Sequence, residues 1–132
     1  MIPSTKSSTV DPDESSTFTV VGPNDFNISY VDNTGSSGDY FTDSFTIGDA
    51  SLENFQMGLA TDGTIGIGIM GIGYNNSEAN VATGNGTIYP NLPDALVDSG
   101  TIKSAAYSLW LNDLRKPNPQ RDWMVLIQSR IQ

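Results

Sequence analysis

Residues 25–48 constrain the fold more than any other part of the chain. Apolar and polar residues alternate on both sides of a polar segment, and the apolar positions are Phe26, Ile28, Tyr30, Phe41, Phe45 and Ile47. A period of two is that of a β-strand with one covered face. The polar segment between the two runs holds residues typical of a chain reversal, namely Asp32, Asn33, Thr34, Gly35 and Gly38. The sequence therefore predicts a β-hairpin with an exposed tip.

Three later segments also have the pattern of strands. Residues 52–59 alternate apolar with polar or small side chains, and Asp62 and Gly63 supply the next turn. Residues 63–74, GTIGIGIMGIGY, are rich in β-forming isoleucine, and their glycines leave room for a neighbouring backbone. Residues 107–111 alternate again. The sequence predicts an all-β fold.

One short helix is predicted over residues 91–97. Asn91 can cap its first turn, Pro93 suits a position within that turn, and Gly100 can end it. Leu92 and Leu96 would then face inward. The predicted fold class is therefore all-β, with mixed strands and one or two short helices.

Composition excludes several classes of function. The chain has no cysteine and no histidine, so it can build neither a thiolate zinc site nor a Ser/His triad. Its formal net charge of −9 opposes binding to nucleic acid or to an anionic membrane. Gly66, Gly68 and Gly71 fit a dinucleotide fingerprint, but polar residues follow instead of a helix. The acidic segment 11–14 lacks the glycine of a calcium loop. We expect no cofactor and no metal.

Four motifs, in this order, resemble part of the amino-terminal lobe of a pepsin-family aspartic endopeptidase of the fungal yapsin-like branch. They are ISYVDNTGSSGDYFTDSFTIG, FQMGLA, GIMGIGY and YPNLPDALVDSGTIKSAAYSLWL. The resemblance implies a partial pepsin-like lobe with a β-hairpin flap. It also implies a polypeptide substrate and hydrolysis of peptide bonds by a water molecule held between two aspartates.

The resemblance gives roles to three residues. In that family the hairpin is the flap that closes over the bound peptide. Its tyrosine matches Tyr30, and Tyr30 and Asp32 would contact the substrate. The family usually has glycine after this tyrosine, whereas this chain has Val31, so a different turn geometry is expected. The GIMGIGY motif matches a buried strand and turn at the floor of the cleft, where Ile69 would line a substrate subsite.

No catalytic residue is assigned. The catalytic Asp-Thr/Ser-Gly loop should precede the flap, and no such motif stands before Tyr30. One carboxylate cannot act as both acid and base. Asp98, in LVDSGT, has the right form, and two readings stay open: two paired chains each contribute Asp98, or Asp98 is the exposed end of a helix that Gly100 stops. We favour the helix end, because the catalytic loop of paired retroviral-type proteases precedes the flap. The chain is expected to be truncated and inactive alone.

Three segments are expected along the chain. Residues 1–17 are Ser/Thr-rich and are predicted to be flexible, and residues 18–113 form the partial lobe. Residues 114–132 hold four of the six basic residues and do not resemble the family. We interpret this tail as the product of a different exon junction.

The sequence also suggests modification and partners. Asn27, Asn75 and Asn85 begin Asn-X-Ser/Thr tripeptides, which accept glycans in secreted proteins. The family is secreted or held at the cell surface, but the first ten residues contain no apolar segment of a signal peptide. An alternative function is a non-catalytic binding or structural protein at the cell surface. Uncovered strands also predict self-association.

Overall fold

The computed structural model describes residues 10–79, 86–110 and 124–127. No helix in this part of the chain is long and apolar enough to cross a membrane. The elements in chain order are a 3-10 helix at Pro12–Glu14, β1 (Thr19–Ser29), β2 (Gly35–Ile47), β3 (Ala50–Gly63), a second 3-10 helix at Asn75–Ser77, α1 (Leu92–Asp98), β4 (Tyr107–Trp110) and β5 (Met124–Ile127).

Strands β1, β2 and β3 form one antiparallel sheet in that order. Strands β1 and β2 are the predicted hairpin, with Asn27 opposite Ser37 and Ser29 opposite Gly35. On its other side β2 pairs with β3, where Asp62 lies opposite Ser37. The all-β prediction and the hairpin are therefore confirmed, and the hairpin stands on a third strand.

The turn of this hairpin is shorter than the sequence suggests. Gly35 and Gly38, which we expected in the turn, belong to β2, and neither has a positive φ. A Cβ atom at Gly38 would overlap the carbonyl oxygen of Leu59 and lie 2.9 Å from the backbone nitrogen of Thr61. Glycine at position 38 thus permits the close approach of β3 instead of reversing the chain.

Three aromatic side chains pack in a row, called the aromatic column: Phe26 of β1, Tyr40 of β2, and Tyr89. The ring centroids of Phe26 and Tyr40 are 5.5 Å apart, and those of Tyr40 and Tyr89 are 5.7 Å apart, both pairs in edge-to-face geometry. A Cβ atom at Gly58 would lie 2.6 Å from the Phe26 ring, so the absence of a side chain there makes room for the column. Burial and the nearby carboxylate of Glu78 raise the pKa of Tyr89, whose hydroxyl donates to Glu78 at 3.2 Å.

The apolar core lies between β3 and α1. Leu92 and Leu96 of α1 are buried together with Ala50 and Leu52 of β3. Leu92 is 2% exposed. The side chains that pack around this cluster are Phe45, Phe55, Ala95 and Ile102. A helix of seven residues is marginal by itself, so this contact with the sheet holds it in place.

Both ends of α1 agree with the sequence prediction. The side chain of Asn91 accepts a hydrogen bond from the backbone nitrogen of Asp94 at 3.1 Å, which caps the first turn. Gly100 has a φ of 75°, and its nitrogen donates to the carbonyl of Val97 at 2.9 Å. The helix therefore stops where the sequence predicts.

Two predictions are wrong, one for the end of β3 and one for the segment that follows it. Asp62 and Gly63, expected as a turn, are the last two residues of β3 and pair with β2. The following segment, expected as a strand buried at the floor of a cleft, has no strand in the structure, and Ile67 and Met70 are largely exposed. A strand needs a hydrogen-bonded neighbour along its length, and the described residues form no ladder with this segment after Gly63.

Two further segments bear on the predicted division of the chain. Ser15 and Thr17 donate hydrogen bonds to the carboxylate of Asp43 in β2, so residues next to the sheet are attached to it. Strand β5, within the predicted tail, pairs antiparallel with β4. Residues 1–9, 111–123 and 128–132 lie outside the described part, and the division into three segments stays a prediction.

Candidate functional site

At the tip of the hairpin, residues 31–33 form a loop that two backbone hydrogen bonds close. The nitrogen of Tyr30 donates to the carbonyl of Thr34 at 2.8 Å, and the nitrogen of Asn33 donates to the carbonyl of Tyr30 at 3.0 Å. Asn33 has a φ of 64°, in the left-handed region that a loop of this length places at its third residue. Asparagine tolerates that region better than most residues. The loop is therefore a defined turn.

The Asp32 carboxylate accepts two further hydrogen bonds that hold the loop. Its Oδ1 accepts from the backbone nitrogen of Thr34 at 3.0 Å and from the Thr34 hydroxyl at 2.6 Å. Hydrogen bonds to a carboxylate favour its charged form, and those from Thr34 lower the pKa of Asp32 from 3.8. The hydrogen bonds from Thr34 therefore favour the charged form of the Asp32 carboxylate at the tip.

The same tip exposes two large side chains. Tyr30 is 36% exposed, and Val31 is wholly exposed. Below the tip, the backbone nitrogen of Gly35 donates to the Thr64 hydroxyl at 3.1 Å, and the Thr64 nitrogen donates to the Gly35 carbonyl at 2.9 Å. The base of the loop is thus fastened to the end of β3, while its tip faces solvent. The tip consists of residues 30–34 and is called the hairpin tip below.

A shallow, open depression lies at the base of the hairpin tip. Most of the residues that line it have polar side chains, and they come from all three strands and the tip: Asn27, Ile28, Ser29, Asn33, Thr34, Gly35, Ser36, Ser37, Asp62 and Gly63. Ser36 is buried, whereas Asn27, Ser29 and Asp62 are exposed. The depression can offer amide, hydroxyl and carboxylate groups to a polar ligand.

The structure brings only some of the predicted site residues together. Tyr30 and Asp32 share the hairpin tip, whereas Ile69 lies in the irregular segment after β3 and is 58% exposed. Asp98 is the last residue of α1 and is exposed, and its assignment as a non-catalytic residue stays a prediction. Ser99 donates from its hydroxyl to the Leu96 carbonyl at 3.0 Å, which is an ordinary contact at the end of a helix.

The three predicted glycan acceptors differ in their surroundings. Asn27 is exposed in β1, and Asn75 is half-buried at the start of a 3-10 helix. Asn85 lies outside the described residues.

The acidic side chains do not form a proton-sharing pair in the described hydrogen bonds. The carboxylate of Asp43 accepts from the hydroxyls of Thr17 and Ser15, which lower its pKa. Within residues 10–79, 86–110 and 124–127, no group of three or more acidic side chains is placed to hold a metal ion.

Comparison with known sequences identifies the family. The family profile described as "Eukaryotic aspartyl protease" matches residues 2–122. The chain belongs to the eukaryotic aspartyl protease family. The match begins before β1 and continues past β4, so it includes the hairpin tip and α1.

Individual relatives of this aspartyl protease chain are fungal. It is 48% identical over 112 residues to the "Probable aspartic-type endopeptidase OPSB" of Arthroderma benhamiae, covering 85% of the chain and 22% of the relative. It is 51% identical over 108 residues to the corresponding opsB protein of Aspergillus fumigatus, covering 82% and 22%. The "Secreted aspartic protease 9" of Candida albicans is 35% identical over 100 residues, which cover 76% of the chain and 18% of that protein.

These matches confirm the resemblance that the motifs indicate. The antiparallel sheet with few short helices agrees with part of a pepsin-like lobe. The chain spans about a fifth of the length of the curated relatives it matches. The alternative, a non-catalytic binding or structural protein at the cell surface that reuses the lobe, is not favoured by these matches.

Sequence reasoning missed two residues that shape the site. Thr34 holds the Asp32 carboxylate, and Thr64 fastens the base of the hairpin. Asp followed two positions later by Thr is a local signal for a side-chain turn, so the role of Thr34 could have been found. The contact of Thr64 joins residues 29 positions apart and has no local signal.

Proposed function

We propose that the hairpin tip is the substrate-contacting flap of an aspartic-type endopeptidase. The observation that carries the proposal is a turn with a fixed backbone and exposed side chains. Four hydrogen bonds within residues 30–34 hold the loop, while Tyr30, Val31 and Asp32 face solvent. A rigid loop with a large aromatic side chain loses little conformational entropy when a polypeptide binds.

Each residue of the proposed site has a separate role. Tyr30 supplies apolar contact area and a hydroxyl, and Asp32 supplies a charge that Thr34 keeps in place. Ile69 lines a subsite on the other side of the peptide when the lobe is complete. Exposure of Ile69 in the chain is compatible with this role, because a substrate-contacting side chain must be reachable from solvent.

The chain is proposed to bind the peptide and not to cleave it. Hydrolysis of this kind needs two neighbouring carboxyl groups, one to accept a proton from water and one to donate. The one Asp-Ser-Gly sequence, at Asp98, ends a helix. The catalytic pair is therefore not assigned to this chain. The name of the C. albicans relative supports a secreted protein, and self-association through uncovered strands stays a prediction.

Replacing Tyr30 by alanine is expected to weaken peptide binding about tenfold, which corresponds to about 1.4 kcal/mol. The loss follows from removal of the aromatic contact area at the hairpin tip. Binding of the oxidised B chain of insulin, an unfolded polypeptide, can be followed by two-dimensional NMR of the labelled chain.

Tyr74→Ala is the matched control for this experiment. Tyr74 is also exposed, but it lies outside the hairpin tip. The control should bind as the unaltered chain does, and the shifted resonances should centre on residues 30–34. Equal weakening by both variants, or no binding by the unaltered chain, would contradict the proposal.

The purified chain is expected to show no peptidase activity at acid pH. A single Asp-Ser-Gly sequence at the end of a helix cannot supply a proton-sharing pair. The measurement is release of fragments from denatured haemoglobin at pH 3–5, with Asp98→Asn as the comparison. Activity in the unaltered chain that Asp98→Asn abolishes would show instead that two chains pair and that Asp98 is catalytic.

A further inference from the structure

The tripeptide that begins at Asn27 presents both of its acceptor-motif side chains to solvent. Asn27 and Ser29 are both exposed in β1. Among the described residues neither side chain makes a hydrogen bond, although the backbone of this segment is paired with β2. The acceptor amide and the hydroxyl of the tripeptide are thus both available, and the backbone that carries them is ordered.

The tripeptide that begins at Asn75 differs in the burial of its asparagine and in the hydrogen bond of its hydroxyl. Asn75 is half-buried, and the backbone nitrogen of Glu78 donates to its carbonyl at 3.4 Å to close a 3-10 helix. The hydroxyl of Ser77 donates to the side-chain oxygen of Asn76 at 3.4 Å. To carry a sugar, the half-buried side chain of Asn75 would have to turn outward into solvent.

Asn27 also occupies a distinctive place in the sheet. Among the described residues β1 is an edge strand, since the strand order of the sheet is β1, β2, β3. Asn27 lies opposite Ser37, which lies opposite Asp62, so the three side chains form one row across a single face. Asn27 and Ser29 also line the depression below the hairpin tip. A group attached to Asn27 would stand over the β1 edge and beside this depression.

We propose that Asn27 is an N-glycosylation site whose glycan covers the β1 edge and the mouth of the depression. The donor is an oligosaccharide linked through a diphosphate to a polyisoprenol. A bond forms between the Asn27 side-chain nitrogen and the anomeric carbon of the sugar, and the carbon–oxygen bond to the diphosphate breaks. The electron pair of that bond leaves with the diphosphate, the amide loses one proton to a base, and nothing is oxidised or reduced.

The position explains what such a glycan would do. An edge strand with free N–H and C=O groups can pair with another chain, and proteins commonly cover such edges. Pro23 and the irregular register between Gly22 and Phe26 already interrupt the first part of β1, whereas residues 26–29 pair regularly with β2. A glycan at Asn27 would cover this regular part. The inference goes beyond the proposed function and does not depend on peptide binding.

The test is expression of the full chain behind a secretory leader in a yeast host. Enzymatic removal of N-glycans in heavy-oxygen water converts each formerly glycosylated asparagine to a labelled aspartate, which mass spectrometry of peptides then locates. We expect the label at position 27, its loss in Asn27→Gln and in Ser29→Ala, and its retention in Ser29→Thr. Asn75→Gln should leave the label at position 27 unchanged.

The proposal would be overturned if the secreted chain carried the label at Asn75 or Asn85 but not at position 27. Secreted chain with no label at all would overturn it equally. A second measurement tests coverage of the edge: amide hydrogen exchange of residues 26–29 should be at least several-fold slower in the glycosylated chain than after enzymatic deglycosylation. Equal exchange would refute coverage of the β1 edge.

Discussion

Replacing Gly38 by alanine is expected to destabilise the three-stranded sheet by about 3 kcal/mol or more. The added Cβ atom would overlap the carbonyl oxygen of Leu59 and lie 2.9 Å from the nitrogen of Thr61. Both atoms belong to the backbone of β3, so no side chain can rotate away to relieve the overlap. Strand β3 would have to move away from β2 and give up hydrogen bonds on both sides of the substitution.

The measurement is the denaturant midpoint of unfolding, with amide exchange at Leu59 and Thr61 as a local report. Gly66→Ala is the matched control, because a Cβ atom at Gly66 would have nothing within 4 Å. The control should change the free energy of unfolding by less than about 0.5 kcal/mol. A Gly38→Ala chain as stable as the control would show that β3 does not approach β2 this closely.

The hairpin and α1 could be predicted because their signals are local. Alternation along residues 25–48 gives the two strands, and Asn91 and Gly100 give the ends of the helix. In each case a residue type acts on backbone within four positions of itself. Such signals are readable without knowledge of distant contacts.

The glycines could not be interpreted in the same way. Gly38 looks like a turn residue in the sequence. In the structure its lack of a side chain allows the backbone of Leu59, 21 positions away, to approach closely. Residues 63–74 look like a buried strand because isoleucine favours strands. In the structure no strand is formed between Gly63 and Asn75, so composition alone gave the wrong result. A strand depends on a partner that local pattern does not specify.

The candidate site was predictable only in part. Tyr30 and Asp32 follow from the resemblance to the aspartyl protease family, and the structure places both on one turn. The rigidity of that turn depends on Thr34 and on Asn33, which lies in the left-handed region. The resemblance assigned no role to either residue. Val31, the departure from the usual glycine, fits because it lies before the residue that needs a positive φ.

Leu92→Ala is expected to cost about 2–5 kcal/mol and to detach α1 from the sheet. Leu92 is 2% exposed and packs with Leu96, Ala50 and Leu52, so alanine would leave a cavity between helix and sheet. A helix of seven residues has too few internal hydrogen bonds to persist without this contact. The loss should therefore appear as melting of α1 and not only as a lower stability of β3.

Circular dichroism and the denaturant midpoint measure this effect, with Ile67→Ala as the matched control. Ile67 is 77% exposed, so truncating it should change the free energy of unfolding by less than about 0.5 kcal/mol. Amide exchange at Ser99 and Ile102, whose nitrogens donate to the Ala95 and Leu96 carbonyls, should accelerate in Leu92→Ala alone. If both variants unfold at the same midpoint, Leu92 does not anchor the helix, and the position of Asp98 at its end would need another support.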